Sequence, residues 1–362
     1  MAGRRSRYGY QEYRGRGGAR SVLIFIILLL AVLLAAGVVF MVTMGEYIEY
    51  TDTGVEIHWP WLSDRSSTPP VESDPVVLVT DDVVVTVEPS SDPTPTPTPE
   101  PQYDPIQAVT VTAEQLRGGS AVQAVANAGG NALVVEMKAD DGSLAWQSRS
   151  EMAASLSVNA DSDRTAQAIR ELSAAGDLYL VARVHCFKDP GMARNRIGSL
   201  LTLRGVVWYD RMGIGWTSPA NQQAVDYLSE LCQELADMGF DEILLDDAGY
   251  PWDGEVNVLA TSDNRPEDRT VPVAAFYARL AGELEERGVC LSVYASERLL
   301  PGETVYTGMT AAVLAEHAGR VWLDKRVDVE HYQTILTAAG MDDLDARMVV
   351  TADTAGSGSW YH

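Results

Sequence analysis

A (β/α)8 TIM-like barrel, an α/β fold on a mainly parallel sheet, is the architecture that residues 103–362 predict, and three observations point to it. Seven short apolar runs alternate with six amphipathic segments. The alternation fills roughly 260 residues, close to the ~250 of a typical barrel. Acidic and aromatic residues gather just after the runs, at what would be the carboxyl ends of the strands, where such barrels keep their chemistry. An open doubly wound sheet is the alternative, but no glycine-rich dinucleotide loop follows the first run.

Taken in order, residues 1–20 form a basic tail with Arg4, Arg5, Arg7, Arg14, Arg16 and Arg20. Residues 21–44 hold no charged side chain, and at ~1.5 Å per residue they reach roughly 36 Å, enough for a ~30 Å hydrocarbon core. A single transmembrane anchor follows, since the run exceeds the roughly 7–15 apolar residues of a cleaved signal. The arginine tail sets its N-terminus in the cytoplasm and the rest of the chain outside. Residues 45–102 carry two β-rich stretches, Tyr47 to Trp61 and Pro75 to Val87, read as a hairpin or an extended stalk. Alternating proline from Pro93 to Pro101 then forces an extended spacer.

Strands are expected at Ala108 to Thr112, Ala132 to Met137, Leu178 to Val184, Glu242 to Asp246, Val289 to Val293, Val321 to Asp324 and Met348 to Thr351. Helices are expected between them at Ser120 to Ala128, Arg164 to Ala174, Asn221 to Met238, Val273 to Glu286, Ala311 to His317 and Val329 to Ala339. In the fourth unit, Ala224, Tyr227, Leu228, Leu231, Leu235 and Met238 repeat at helical spacing and Gly239 stops the helix. Ile243, Leu244 and Leu245 then read as a strand covered on both faces. An eighth strand is not evident, and an incomplete eighth unit is expected in the short tail from Gly356 to His362.

The charge excludes some partners. Beyond the basic tail stand 21 basic against 50 acidic residues, a net of about −29. Such a surface repels nucleic acid, and neutral or cationic partners fit it better. Cys186, Cys232 and Cys290 have no metal-ligand spacing and read as small buried hydrophobes. No metal motif, phosphate loop or nucleophile elbow is present, and neither a metal nor a cofactor is expected.

Candidate site residues lie at the strand ends. The second strand brings Glu136 and Lys138, then Asp140; the third brings Arg183 and His185, then Lys188. Lys138 and Arg183 read either as sugar ligands or as members of an internal ion pair, and His185 either as a ligand or as a structural histidine. The fourth strand ends in Asp246 and Asp247, neighbours that period-2 alternation sends to opposite faces, so only one of them is expected at the mouth. The competing reading makes both caps of the next turn. Glu297, after the fifth strand, is the candidate partner carboxylate, because glycoside hydrolysis needs two, one to protonate the leaving oxygen and one to attack or activate water. Trp216, Tyr250, Trp252 and Tyr294 are candidate surfaces for a sugar ring, with core packing as the alternative.

Four ordered motifs carry a resemblance. They are Asn131 to Lys138 with Asp140-Asp141-Gly142; Ala182-Arg183 with Phe187-Lys188-Asp189-Pro190; Gly215-Trp216 with Pro219; and Gly239 to Ile243 with Asp246 and Pro251. Over about Ala108 to Ser296 the chain resembles a bacterial family of TIM-barrel domains described as putative glycosyl hydrolases, once a domain of unknown function. The resemblance implies a carbohydrate-active barrel and matches Asp246 to the family's fourth-strand aspartate. The chain departs from the pattern at Asp247-Ala248-Gly249, where the family continues with an aromatic, an apolar residue and an arginine. Tyr294 stands at the family's fifth-strand acidic position, and Val321-Trp322-Leu323-Asp324-Lys325 replaces a Ser-Pro-Met-type segment.

The function expected is that of a membrane-anchored, extracytoplasmic, glycoside-hydrolase-like barrel acting on cell-wall or other extracellular polysaccharide, with Asp246 and Glu297 as its carboxylates. The alternative is a barrel without turnover that binds wall glycan or an envelope protein.

Overall fold

The computed structural model describes residues 48–51, 54–57, 103–295, 306–352 and 358–362. They fall in two compact units that divide between Pro95 and Thr96. In the first unit, β1 (Ile48–Thr51) pairs antiparallel with β2 (Gly54–Ile57), so part of the first β-rich stretch forms a hairpin. The anchor expected at 21–44, the second β-rich stretch, the Pro/Thr spacer and Glu297 lie outside the described residues. Among the described residues no helix is long and apolar enough to cross a membrane.

The second unit is a closed eight-stranded parallel barrel. Its strands are β3 (Gln107–Val111), β4 (Ala132–Lys138), β5 (Tyr179–His185), β6 (Glu242–Asp246), β7 (Cys290–Ala295), β8 (Arg320–Leu323), β9 (Met348–Thr351) and β10 (Trp360–Tyr361). The helices that carry the chain between them are α1 (Ala113–Arg117), α2 (Ala121–Ala128), α3 (Glu151–Leu156), α4 (Arg164–Ala175), α5 (Pro190–Arg194), α6 (Gln222–Met238), α7 (Thr270–Glu285), α8 (Ala311–His317), α9 (Val329–Ala338) and α10 (Leu344–Arg347). Local chemistry sets several boundaries. Thr112, expected as the last residue of a strand, is instead the N-cap of α1, exchanging hydrogen bonds with Gln115 in a capping box. Asn221 caps α6 by accepting from the Ala224 N–H at 3.1 Å, and Gly239 ends it with φ +106°.

The eighth strand comes from the tail after all. Trp360 and Tyr361 pair with Gln107 and Ala108 on one side and with Val350 and Thr351 on the other. Two residues are too few to show a period, and only their partners define them as a strand. Ser359 locks the seam, accepting from the Ile106 N–H at 3.1 Å and donating to the Ala346 carbonyl at 3.0 Å.

The lumen is filled by Ile106, Ala108, Ala132, Val134, Val181, Leu244, Trp322 and Val349, with Tyr179, Tyr294 and Tyr361 packed on them. Most of the remaining buried apolar side chains form the layer between strands and helices, which also takes in Cys186 and Cys232. The amino-terminal end of the lumen is plugged by charge. Arg320 Nη1 lies 2.6 Å from Glu242 Oε2, with both side chains almost wholly buried. Trp322 Nε1 donates to Glu242 Oε1 at 2.8 Å, and the guanidinium lies over the Tyr103 and Tyr179 rings.

Candidate functional site

At the opposite end, alternation along two neighbouring strands brings the charged residues together. Tyr179, Val181, Arg183 and His185 face inward from β5, and Glu242, Leu244 and Asp246 from β6, with His185 in register beside Asp246. Arg183 Nε donates to Asp246 Oδ2 at 2.9 Å, and its Nη2 reaches the same oxygen. The Asp247 N–H donates to Asp246 Oδ1 at 2.7 Å. Asp246 is therefore held on both oxygens.

Asp247 does not follow the expected alternation. Its φ is +47°, in the left-handed region that aspartate tolerates better than most residues. The chain turns out of the strand there, and both carboxylates converge on one imidazole: His185 Nδ1 lies 2.7 Å from Asp247 Oδ2 and 3.8 Å from Asp246 Oδ2. The expectation that only one of the pair could reach the mouth is overturned by this single dihedral. His185 Nε2 lies 3.1 Å from Glu136 Oε1, so the ring bridges two strands. Its side chain is only 12% exposed, whereas that of Glu136 is half exposed, so the cluster opens to solvent on the Glu136 side.

Environment separates the two aspartates. Burial alone would raise Asp246, but the Arg183 and His185 charges outweigh it and hold the carboxyl below its ordinary range. Asp247 is pushed up by burial and by the Asp246 charge, against the pull of its bond to His185. Burial disfavours charge on His185, yet the hydrogen bonds to Asp247 and Glu136 prevail and raise it to about 9.

His185, Asp246 and Asp247 also form the one group, among the described residues, whose oxygens and nitrogens lie close enough to hold a metal ion, within 4.8 Å of one another. A dication there would stand beside the Arg183 guanidinium, which already takes one oxygen of Asp246.

The other expected ligands separate into rim and wall. Lys188 Nζ bonds Asp140 Oδ2 at 2.8 Å at the rim. Lys138 is a correction: a register shift between Glu136 and Lys138 turns it out of the lumen, where it is fully buried, 3.0 Å from Asp189 Oδ2 and donating to the His185 carbonyl at 2.9 Å. It supports the strand ends from behind and does not face the cleft. Trp216 and Tyr250 are likewise buried, the indole donating to Asp210 at 3.1 Å and the phenol paired with Ser218 at 3.3 Å, so neither offers an open ring face. Trp252 is partly buried against the core. Tyr294 does line the mouth, with the Arg183 guanidinium 5.0 Å above its ring.

Two participants, Tyr361 and Asp324, stand outside the expected site residues. Tyr361 donates to the Tyr294 hydroxyl at 3.2 Å, and Tyr294 donates to Asp324 Oδ2 at 3.3 Å. Alternation through Arg320 and Trp322 would have flagged Asp324 as inward-facing; nothing local flags Tyr361.

A closed parallel barrel with a carboxylate cluster at the carboxyl ends of its strands belongs to the general class of (β/α)8 domains that keep their chemistry at that face. Residues 106–299 match the model of a family described as a putative glycosyl hydrolase domain. This match spans more than half of the chain, which belongs to that family. Among solved structures, the chain is similar to a hypothetical protein from Ruminiclostridium thermocellum ATCC 27405, with 23% identity over 51% of this chain and 96% of that one and a TM-score of 0.44. It is also similar to the PgaB (BpsB) glycoside hydrolase domain from Bordetella bronchiseptica, with 14% identity over 68% and 84% and a TM-score of 0.48. A class V chitinase from Pseudomonas fluorescens Pf-5 follows, with 15% identity over 61% and 53% and a TM-score of 0.37. No curated protein matches.

Proposed function

We propose that the barrel hydrolyses glycosidic bonds in cell-wall or extracellular polysaccharide at the outer face of a membrane. The observation that carries this reading is the divergence of two adjacent carboxyls at the mouth. Arg183 holds the Asp246 carboxyl low while burial pushes Asp247 up, so of the two Asp247 is the readier to give a proton and Asp246 the readier to stay an anion. Asp247 donates its proton to the leaving oxygen, Asp246 faces the positive charge that develops at the anomeric carbon, and the His185 N–H bonds the carboxylate that Asp247 becomes. Family membership supports a glycan as the substrate. The uncharged run at 21–44, behind its arginine tail, supports the anchor and the extracytoplasmic location.

The test incubates the full chain with purified peptidoglycan and a panel of polysaccharides, beside Asp246→Asn. Sugar released by the parent and not by the variant is the expected result; no release by either sinks hydrolysis. A second reading, a barrel that binds glycan or an envelope protein without cleaving it, has its own observation. Asp246, Asp247 and Glu136 are all engaged by Arg183, His185 or backbone, a cluster at rest without substrate. Retention of peptidoglycan with no product in the same assay is its signature.

A further inference from the structure

Hydrolysis by the arrangement above still needs a group to activate water, on the side of the sugar away from Asp247. We propose that Asp324 is that group, the base of an inverting hydrolysis; this rests on the hydrolytic reading.

Arg320, Trp322 and Asp324 alternate along and just beyond β8, and Trp322 belongs to the lumen cluster, so the next inward position at the mouth is Asp324. Its side chain is one-quarter exposed, open to water while backed by the barrel wall. The Arg326 N–H bonds Asp324 Oδ1 at 2.9 Å, as a turn aspartate would require. The exposed Arg326 guanidinium also spans both oxygens, Nε 2.8 Å from Oδ1 and Nη2 3.3 Å from Oδ2. Oδ2 accepts in addition the Tyr294 hydroxyl at 3.3 Å from the neighbouring strand, a contact the turn does not require. Tyr294 in turn lies beneath Arg183, and Arg183 holds Asp246. Asp246 and Asp324 are thus tied to the same tyrosine–arginine pair across one intervening strand.

The spacing suits the role. Two strand separations of ~4.8 Å set the ends of β6 and β8 at most roughly 9 to 10 Å apart around the wall, so Asp324 stands across the mouth from the aspartate pair with room for water between. Hydrogen bonds from Arg326 outweigh burial and hold the Asp324 carboxyl low, so it stands as the anion a base must be, and Arg326, being exposed, must swing away as the proton is taken. In the step itself, the water oxygen bonds to the anomeric carbon as its proton passes to Asp324. The glycosidic C–O bond breaks with its electron pair on the leaving oxygen, which takes the proton of Asp247. Asp324 ends neutral and Asp247 ionised, and exchange with solvent restores both.

The test uses the full chain and whichever polysaccharide of the panel the parent cleaves, reading the anomer first formed by NMR and the rate of Asp324→Asn. Inversion is expected, with a rate loss of ~10²- to 10⁴-fold and an unchanged melting temperature. Azide added to Asp324→Gly is expected to restore turnover as an inverted glycosyl azide, which a merely structural role would not produce. A retained anomer, or Asp324→Asn at the parent rate, overturns this assignment and leaves the hydrolytic reading standing. If the parent cleaves nothing, both fall together.

Discussion

Each end of the barrel holds an arginine, a carboxylate and a tyrosine, and the two sets are built to contrary purposes. At the amino-terminal end Glu242 and Arg320 are almost wholly buried, and Glu242 accepts from Trp322 and Tyr179 as well, so both of its oxygens are bonded. At the carboxyl-terminal end Arg183 is more than a quarter exposed, three further acidic residues stand nearby, and one of them holds a left-handed backbone. The lesson is that what separates an open charged cluster from a closed ion pair is its surroundings: surplus charge, access to water and strain at a single residue.

Breaking one end at a time sharpens that contrast. The largest effect is expected at the mouth, in activity: Asp246→Asn loses ~10²- to 10⁴-fold in rate, with a denaturant midpoint lowered less than at the plug, because Arg183 keeps access to water. At the plug the cost falls on stability. Arg320→Met leaves Glu242 charged and unpaired, a loss of ~3 to 5 kcal/mol in urea unfolding, while the rate per folded molecule stays at the parent level. Replacing Glu242 with Met as well is expected to recover most of that loss, since a well-packed apolar pair is often as stable as a buried ion pair.

Next in size is a pH effect confined to the mouth. His185 rises from 6.5 to about 9 on folding, so the stability it adds is fully present below pH 6.5 and lost as pH passes through 9. Unfolding free energy measured from pH 6 to 10 should fall by roughly 3 kcal/mol in the parent, and His185→Gln should flatten that fall. The smallest effect tests the backbone at 247. Asp247→Gly should be more stable than Asp247→Ala by ~1 kcal/mol, because glycine accepts φ +47° without strain; equal midpoints would mean the left-handed turn stores nothing.

How much of this was legible in the sequence depends on how local each cause is. The first seven strands and the six longer helices were readable because Ile243 to Leu245, or Val321 to Leu323, announce burial by themselves, whereas the short helices α1, α3, α5 and α10 are too brief to show a period. The inward placement of Arg183, His185 and Asp246 follows from the same pattern. Convergence of Asp246 and Asp247 was not readable, because the dihedral that brings it about is fixed by the surrounding loop, where Gly249 lies so close to the Thr307 carbonyl that a Cβ would come within 2.6 Å. Nor was the outward turn of Lys138, which a register shift decides and no residue type marks. Trp360 and Tyr361 became a strand only through their partners.

Those two residues also set a timetable. The seam joins Ile106 to Ser359 across a sequence separation of 253, and Tyr361 reaches the Tyr294 hydroxyl at the mouth. Contacts so distant in sequence form late and slowly. A ribosome or a translocation channel would deliver seven strands before the one that seals the circle, leaving the edges of β3 and β9 open in the interval. If the chain crosses a membrane unfolded, the assembled cleft cannot exist on the near side and first appears after residue 361 has emerged on the far one.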